Sequence, residues 1–156
     1  GSSYLHGRLW KRPVEGPLAP FSVVEHTPPA DELTNEYPIR LTSGRRLDSY
    51  NTGVQSGGFQ SPIRHAETLD ICESDGRRWD VASGEKVRVL SRRGEIEMTV
   101  RYTGDLRPGL AFTTFHFPDE AETNKLTNPA WDKKSGTADF KATAIRIEKL
   151  ETAVGA

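Results

Sequence analysis

The sequence predicts a mainly β fold: a closed or nearly closed barrel of short strands with a few short helices, behind an extended proline-rich arm. Three observations predict it. Apolar and polar residues alternate with a period of two in the segment holding Val87 and Val89, and again through Ile96, Met98, Val100 and Tyr102. Gly- and Pro-centred turns, Ser83-Gly84-Glu85, Arg92-Arg93-Gly94 and Arg107-Pro108-Gly109, punctuate these runs at short intervals. Helical signals are brief, and many short strands with turns between them close most economically as a barrel.

The elements follow in order. Gly1-Ser2-Ser3 reads as an expression scar, and the abrupt start at Tyr4 suggests a piece of a larger protein. Residues 4–36 form an arm or linker, because six of the ten prolines fall within the first 38 residues (Pro13, Pro17, Pro20, Pro28, Pro29 and Pro38) and leave no room for a regular helix or central strand. Its apolar residues, Leu9, Trp10, Leu18, Phe21, Val23 and Val24, are expected to pack on a neighbouring domain, and 30–33 allows one helical turn. The barrel domain takes residues 37–152. Its first strand, with Ile39 and Leu41, runs into Thr42-Ser43-Gly44-Arg45-Arg46, followed by Leu47, Asp48, Ser49, Tyr50, Asn51 and Thr52. Gly57-Gly58 is a flexible loop. Asp70, Glu73, Asp75, Asp80 and Glu85 read as a solvated acidic stretch. Cys72 falls in a strand, and Ser74 or Asp75 caps a turn that contains Trp79. The hairpin around Arg92-Arg93-Gly94 is a charged tip, with interdomain contact as its alternative. An apolar strand over 110–115 leads to Phe115-His116-Phe117, and 118–122 begins with Pro and acids where a helix can start. Asn128-Pro129 leaves the next turn, and Ile145 and Ile147 alternate with Arg146 and Glu148 in a last strand.

Composition narrows the function classes. At 156 residues a single domain with its own core is expected. A net charge of −1 lacks the basic excess of a nucleic-acid binder. No apolar run reaches membrane-spanning length and no signal peptide opens the chain, so a soluble, cytoplasmic protein is expected. One cysteine builds no disulfide, CxxC zinc site or iron–sulfur site.

The chemistry concentrates in two places. In 43–52, small residues let backbone N–H groups approach an anion, two guanidiniums stand ready to fork onto phosphate, and a dense run of donors and acceptors suits a heterocycle. The bland reading is a pair of exposed arginines after a strand. At the far end stand His116, Asn124 in Asn-Lys-Leu-Thr-Asn, and Lys141 after Phe140. Their bland readings are a locally bonded core histidine, a turn or cap residue, and a solvated lysine. No second His, Cys or carboxylate stands at metal-ligand spacing from His116, and no nucleophile constellation or phosphate loop occurs.

Taken together, Thr-Ser-Gly-Arg, Ser-Arg-Arg-Gly, the Pro-Gly turn, Phe-His-Phe, Asn-Lys-Leu-Thr, Phe-Lys and Ile-Arg-Ile-Glu occur in an order that resembles the C-terminal dinucleotide-binding domain of molybdopterin oxidoreductases. The likeness runs from about Pro38 to Leu150. The large subunit of molybdenum- or tungsten-dependent formate dehydrogenases is nearest in pattern and the nitrate reductases come next. The resemblance implies a six-stranded double-psi barrel and a bound molybdopterin guanine dinucleotide. It places Ser43, Gly44, Arg45, Arg46, Leu47, Asp48, Ser49, Tyr50, Asn51, Thr52, His116, Asn124 and Lys141 on that cofactor. The metal itself would be ligated by other domains of the parent large subunit, so this piece alone is expected to have no turnover. Electron-transfer subunits are further partners it suggests. Asn51 stands where many relatives have His, and Lys133 replaces a loop proline beside Asp132. A nitrate reductase-like parent, or a cofactor-free barrel used for docking, are the alternatives.

Overall fold

The computed structural model describes residues 23–47, 49, 51–52 and 66–150. The expectations for Gly1-Ser2-Ser3, most of the arm, Asp48, Tyr50, Gly57-Gly58 and the end of the domain at 152 lie outside them. Six strands form a closed barrel: β1 (Ile39–Ser43), β2 (Thr68–Ile71), β3 (Lys86–Ser91), β4 (Glu95–Tyr102), β5 (Leu110–Thr113) and β6 (Thr143–Lys149), in the spatial order β1-β5-β2-β4-β3-β6. β1 with β5 and β2 with β4 run parallel, while the remaining neighbours are antiparallel. Two parallel pairs separated by crossovers agree with the double-psi arrangement.

The period-two pattern fixes which faces turn inward. Ile39, Leu41, Leu69, Ile71, Val87, Val89, Ile96, Met98, Val100, Ala111 and Ile145 of the strands form the buried core, and Val81, Ala121 and Leu126 from outside the strands belong to the same cluster. The hairpin between β3 and β4 has the expected register, with Val87 opposite Met98 and Val89 opposite Ile96.

Several local expectations are corrected. Residues 30–33 form bends and no helical turn. Cys72 is not within a strand: it follows β2 as the N-cap of α1 (Glu73–Arg78), and Trp79 is the C-cap, so Ser74 and Asp75 lie inside the helix. The strand expected over 110–115 stops at Thr113. The Pro-led segment makes one turn over 118–120, closed by the Glu120 and Ala121 N–H groups on Phe117 O, and the helical element comes later as a single 3-10 turn, Thr123–Lys125. The acidic stretch is not wholly solvated. Asp70 and Asp75 are each only 2% exposed, Asp75 because its Oδ2 accepts the Gly109 N–H at 2.7 Å. The Arg92-Arg93 tip is bound within the chain, to the arm: both guanidiniums grip the buried Asp31, at 2.5 and 2.6 Å.

Strand directions gather the informative residues at one barrel end. Parallel β1 and β5 both finish there, at Ser43 and Thr113. β6, antiparallel to β1, begins there, with Thr143 opposite Leu41. β2 starts there too, since Asp70 pairs with Phe112 in antiparallel sense.

Candidate functional site

The segment after β1 is anchored from several sides. The Gly44 N–H donates to Thr113 O at 3.1 Å, continuing the parallel pairing one residue beyond the strand. The Arg46 N–H donates to His116 Nε2 at 3.1 Å, and His116 Nδ1 lies 2.5 Å from the carbonyl oxygen of Asn51. Because Nε2 accepts, the ring proton sits on Nδ1 and donates to Asn51. His116 is fully buried with both nitrogens engaged. Its geometry is that of a loop support, the bland alternative, rather than of a side chain facing an open cleft.

Asn51 adopts a left-handed conformation (φ 49°), which Asn tolerates better than most residues. Its Oδ1 accepts from Arg45 Nε at 2.6 Å, which ties the two ends of the segment together. The Arg45 guanidinium lies 5.5 Å from the centre of the Phe115 ring. Arg46 is committed to protein contacts: it pairs with Asp70 and lies 5.0 Å over Phe112. Asp70 also accepts from Arg101 Nε at 2.8 Å and Nη2 at 2.5 Å, and from Thr68 Oγ1 at 2.8 Å. Two guanidiniums against one carboxylate leave this cluster net positive, a suitable field for an anion. Leu47 is fully exposed beside it.

Across the barrel end, Lys141 Nζ donates to Ser43 O at 3.3 Å, which binds the approach to β6 onto the end of β1. Asn124 sits exposed in the 3-10 turn. A cleft of about 400 Å³ lies between these parts, lined by Thr52, Phe115, Pro118, Ala121, Glu122, Thr123, Asn124 and Phe140. Thr52 and Asn124, far apart in sequence, thus share one wall-and-floor arrangement. Ser49 is 7% exposed, and its hydroxyl has no hydrogen-bond partner among the described residues. Of the expected residues, Ser43, Gly44, Arg45, Arg46, Ser49, Asn51, Thr52, Asn124 and Lys141 gather at this end, with His116 beneath them. Sequence reasoning missed Glu67 and Asp70 as supports. The signal available for Glu67 was its parity with inward-facing Leu69 and Ile71.

A small barrel whose strand ends, polar loop and open cleft converge on one side defines a ligand-cradling module, and the comparisons say of which kind. The family described as molydopterin dinucleotide binding domain matches residues 39–144, and the chain belongs to it. Among curated relatives, F420-dependent formate dehydrogenase 2 subunit alpha of Methanococcus maripaludis is 37% identical over 152 residues, 96% of this chain and 22% of that protein. F420-dependent formate dehydrogenase subunit alpha of Methanocaldococcus jannaschii is 33% identical over 81% of this chain and 19% of its own length. Assimilatory nitrate reductase of Haloferax mediterranei is 32% identical over 88% of this chain and 19% of its own length. The chain therefore spans about a fifth of the relatives it matches. Among solved structures, acetylene hydratase from Pelobacter acetylenicus superposes with a TM-score of 0.62 over 74% of this chain and 19% of that one, at 13% identity, a likeness of fold.

The residues present fit a pterin dinucleotide. An orphaned buried hydroxyl at Ser49 is an energetic liability that a ligand acceptor or donor would remove. The Asn124 amide offers both a donor and an acceptor to a ring edge, and the Lys141 ammonium keeps further N–H donors beyond the one given to Ser43.

Proposed function

We propose that this chain is the cofactor-cradling domain of a molybdenum or tungsten bis-(molybdopterin guanine dinucleotide) oxidoreductase, with formate oxidised to carbon dioxide as the parent reaction. Residues 43–52, Asn124 and Lys141 would hold one dinucleotide: the loop and Lys141 neutralise phosphate or pterin oxygens, while Asn124 and Thr52 read ring edges across the cleft. When bound, the metal dithiolene supplies the redox chemistry, and this domain's residues bind, orient and exclude water. The barrel domain over 37–152 would fold against the remaining domains of the parent large subunit, in a cytoplasmic enzyme served by electron-transfer subunits. Turnover is not expected from this chain by itself.

The observation that carries the reading is the convergence of Thr52 and Asn124, far apart in sequence, on one open cleft at the barrel end, which docking alone does not require. The similarity to an assimilatory nitrate reductase keeps an oxyanion-reducing parent as the second reading. The test is an NMR amide-shift titration of the chain with released guanine–pterin dinucleotide. Shifts clustered at 43–52, Asn124 and Lys141 support the assignment. Shifts clustered elsewhere on a folded barrel overturn the site.

A further inference from the structure

Glu67 lines no part of the cleft, yet it stands behind the loop that does. It is 5% exposed just before β2. Its Oε1 accepts the backbone N–H groups of His116 at 2.5 Å and Phe117 at 3.0 Å, and its Oε2 takes the Thr114 hydroxyl. A carboxylate is tolerated in such a place only when its oxygens are hydrogen-bonded. Here three donors from one four-residue stretch meet that need, and they fix the stretch after β5 in one position. His116 belongs to it and holds the binding segment at two points, the Arg46 N–H and the Asn51 carbonyl. Among the described residues between Gly44 and Asn51, the backbone-to-backbone hydrogen bonds are Gly44 to Thr113 and the local turn from Ser49 to Arg46.

We propose that Glu67 is a positioning residue: acting through the 114–117 turn and His116, it sets the conformation in which 43–52 meets the dinucleotide. The inference rests on the proposed function and deepens it. A loop already held in its bound shape loses less freedom on association, so the carboxylate raises affinity without touching the ligand.

The variants Glu67→Ala and Glu67→Gln separate this role from bulk packing. Glutamine keeps an acceptor oxygen for the two N–H groups, and its amide can donate to the Thr114 hydroxyl, whereas alanine leaves the turn unheld. Two readouts are taken on the whole chain: the ring-nitrogen NMR signature of His116, and titration with guanine–pterin dinucleotide. Wild type and E67Q should both show the Nδ1–H tautomer and similar affinity. E67A should show mixed tautomers and bind about tenfold more weakly, with exchange protection retained in β3, β4 and β6. If E67A fails to fold, Glu67→Asp, one methylene short of the turn, should show the same losses in milder form. An unchanged His116 signature and affinity in the folded variant, or an E67Q no better than E67A, overturns the proposal. If wild type does not bind, the cofactor reading fails by itself, and the coupling of Glu67 to His116 is judged from the ring-nitrogen spectra.

Discussion

Ser49 is the residue at which stability and binding should part company. Its hydroxyl is buried and has no partner among the described residues, a desolvation cost that alanine would remove. Ser49→Ala should leave stability unchanged or raise it by about 1 kcal/mol, while weakening dinucleotide binding several-fold. Urea unfolding and the amide-shift titration on the same variant check both halves. A stability loss without a binding loss would sink the idea that the hydroxyl is kept for a ligand. At this scale the cofactor roles of Asn124 and Lys141 stay proposals: the structure shows Asn124 lining the cleft and Lys141 bonded to Ser43 O. The sequence was less legible where a side chain has two faces of use. His116 was expected on the cofactor, and burial with both nitrogens bonded makes it a support. Arg46 was expected on phosphate and is held by Asp70, whose position only the folded barrel brings near. No spacing rule links residues 46, 70 and 101, since register between distant strands sets their meeting.

The β3–β4 hairpin shows how an element far from the loop still shapes the site. Its turn lies under the 3-10 turn that carries Asn124: Arg93 Nε and Nη2 donate to Leu126 O at 3.3 and 3.0 Å. A Cβ on Gly94 would lie 2.9 Å from the Lys125 carbonyl oxygen, and a backbone atom cannot swing aside as a side-chain tip can. Gly94→Ala should therefore push the 3-10 turn outward, costing about 1–3 kcal/mol as overpacking does, and it should weaken binding through Asn124. Thermal unfolding together with shift changes confined to 123–127 would be the signature, and an unperturbed Asn124 amide would refute it. The hairpin itself was plain in the sequence because strict alternation admits one inward face. Residues 118–122 misled because proline and acids favour a helix start without supplying the apolar stripe that sustains one. The buried acids of the 70–85 stretch were hidden for a related reason: a carboxylate's partner, not its own type, decides whether it can be buried.

On the scale of the whole molecule, Asp31 joins parts that the chain order keeps apart. Its carboxylate binds Arg92 and Arg93 of the hairpin tip and accepts the Ala144 N–H of β6 at 2.7 Å, while its carbonyl oxygen accepts from Arg40 of β1 at 2.6 Å. The arm, the β3–β4 hairpin and the β1–β6 closure thus meet at one residue that is 5% exposed. Nothing in the proline-rich stretch distinguished Asp31, since its partners lie about 60 and 110 residues away. Burial pushes its carboxyl up, but the Arg93 hydrogen bond, the Ala144 N–H, the charge of Arg93 and the Arg92 hydrogen bond outweigh it and hold the group below its ordinary 3.8. A carboxylate with a lowered folded value contributes stability that is full above the unfolded value and is lost as pH falls through the folded one. Asp31→Asn should therefore cost about 1.5–3 kcal/mol at pH 7, the lower part of the range applying if the half-exposed arginines turn to water. The gap between wild type and variant should close below pH 3.8, where the wild-type carboxyl gains its proton. Asp80 and Glu97, lowered by Lys149 and Lys86, also favour the fold at neutral pH, but they are present in both proteins and cancel in the difference. Urea unfolding of the pair at pH 7 and pH 3 measures the gap directly. A gap of equal size at both pH values would mean that Asp31 acts by shape alone, and the charged clamp would have to be abandoned.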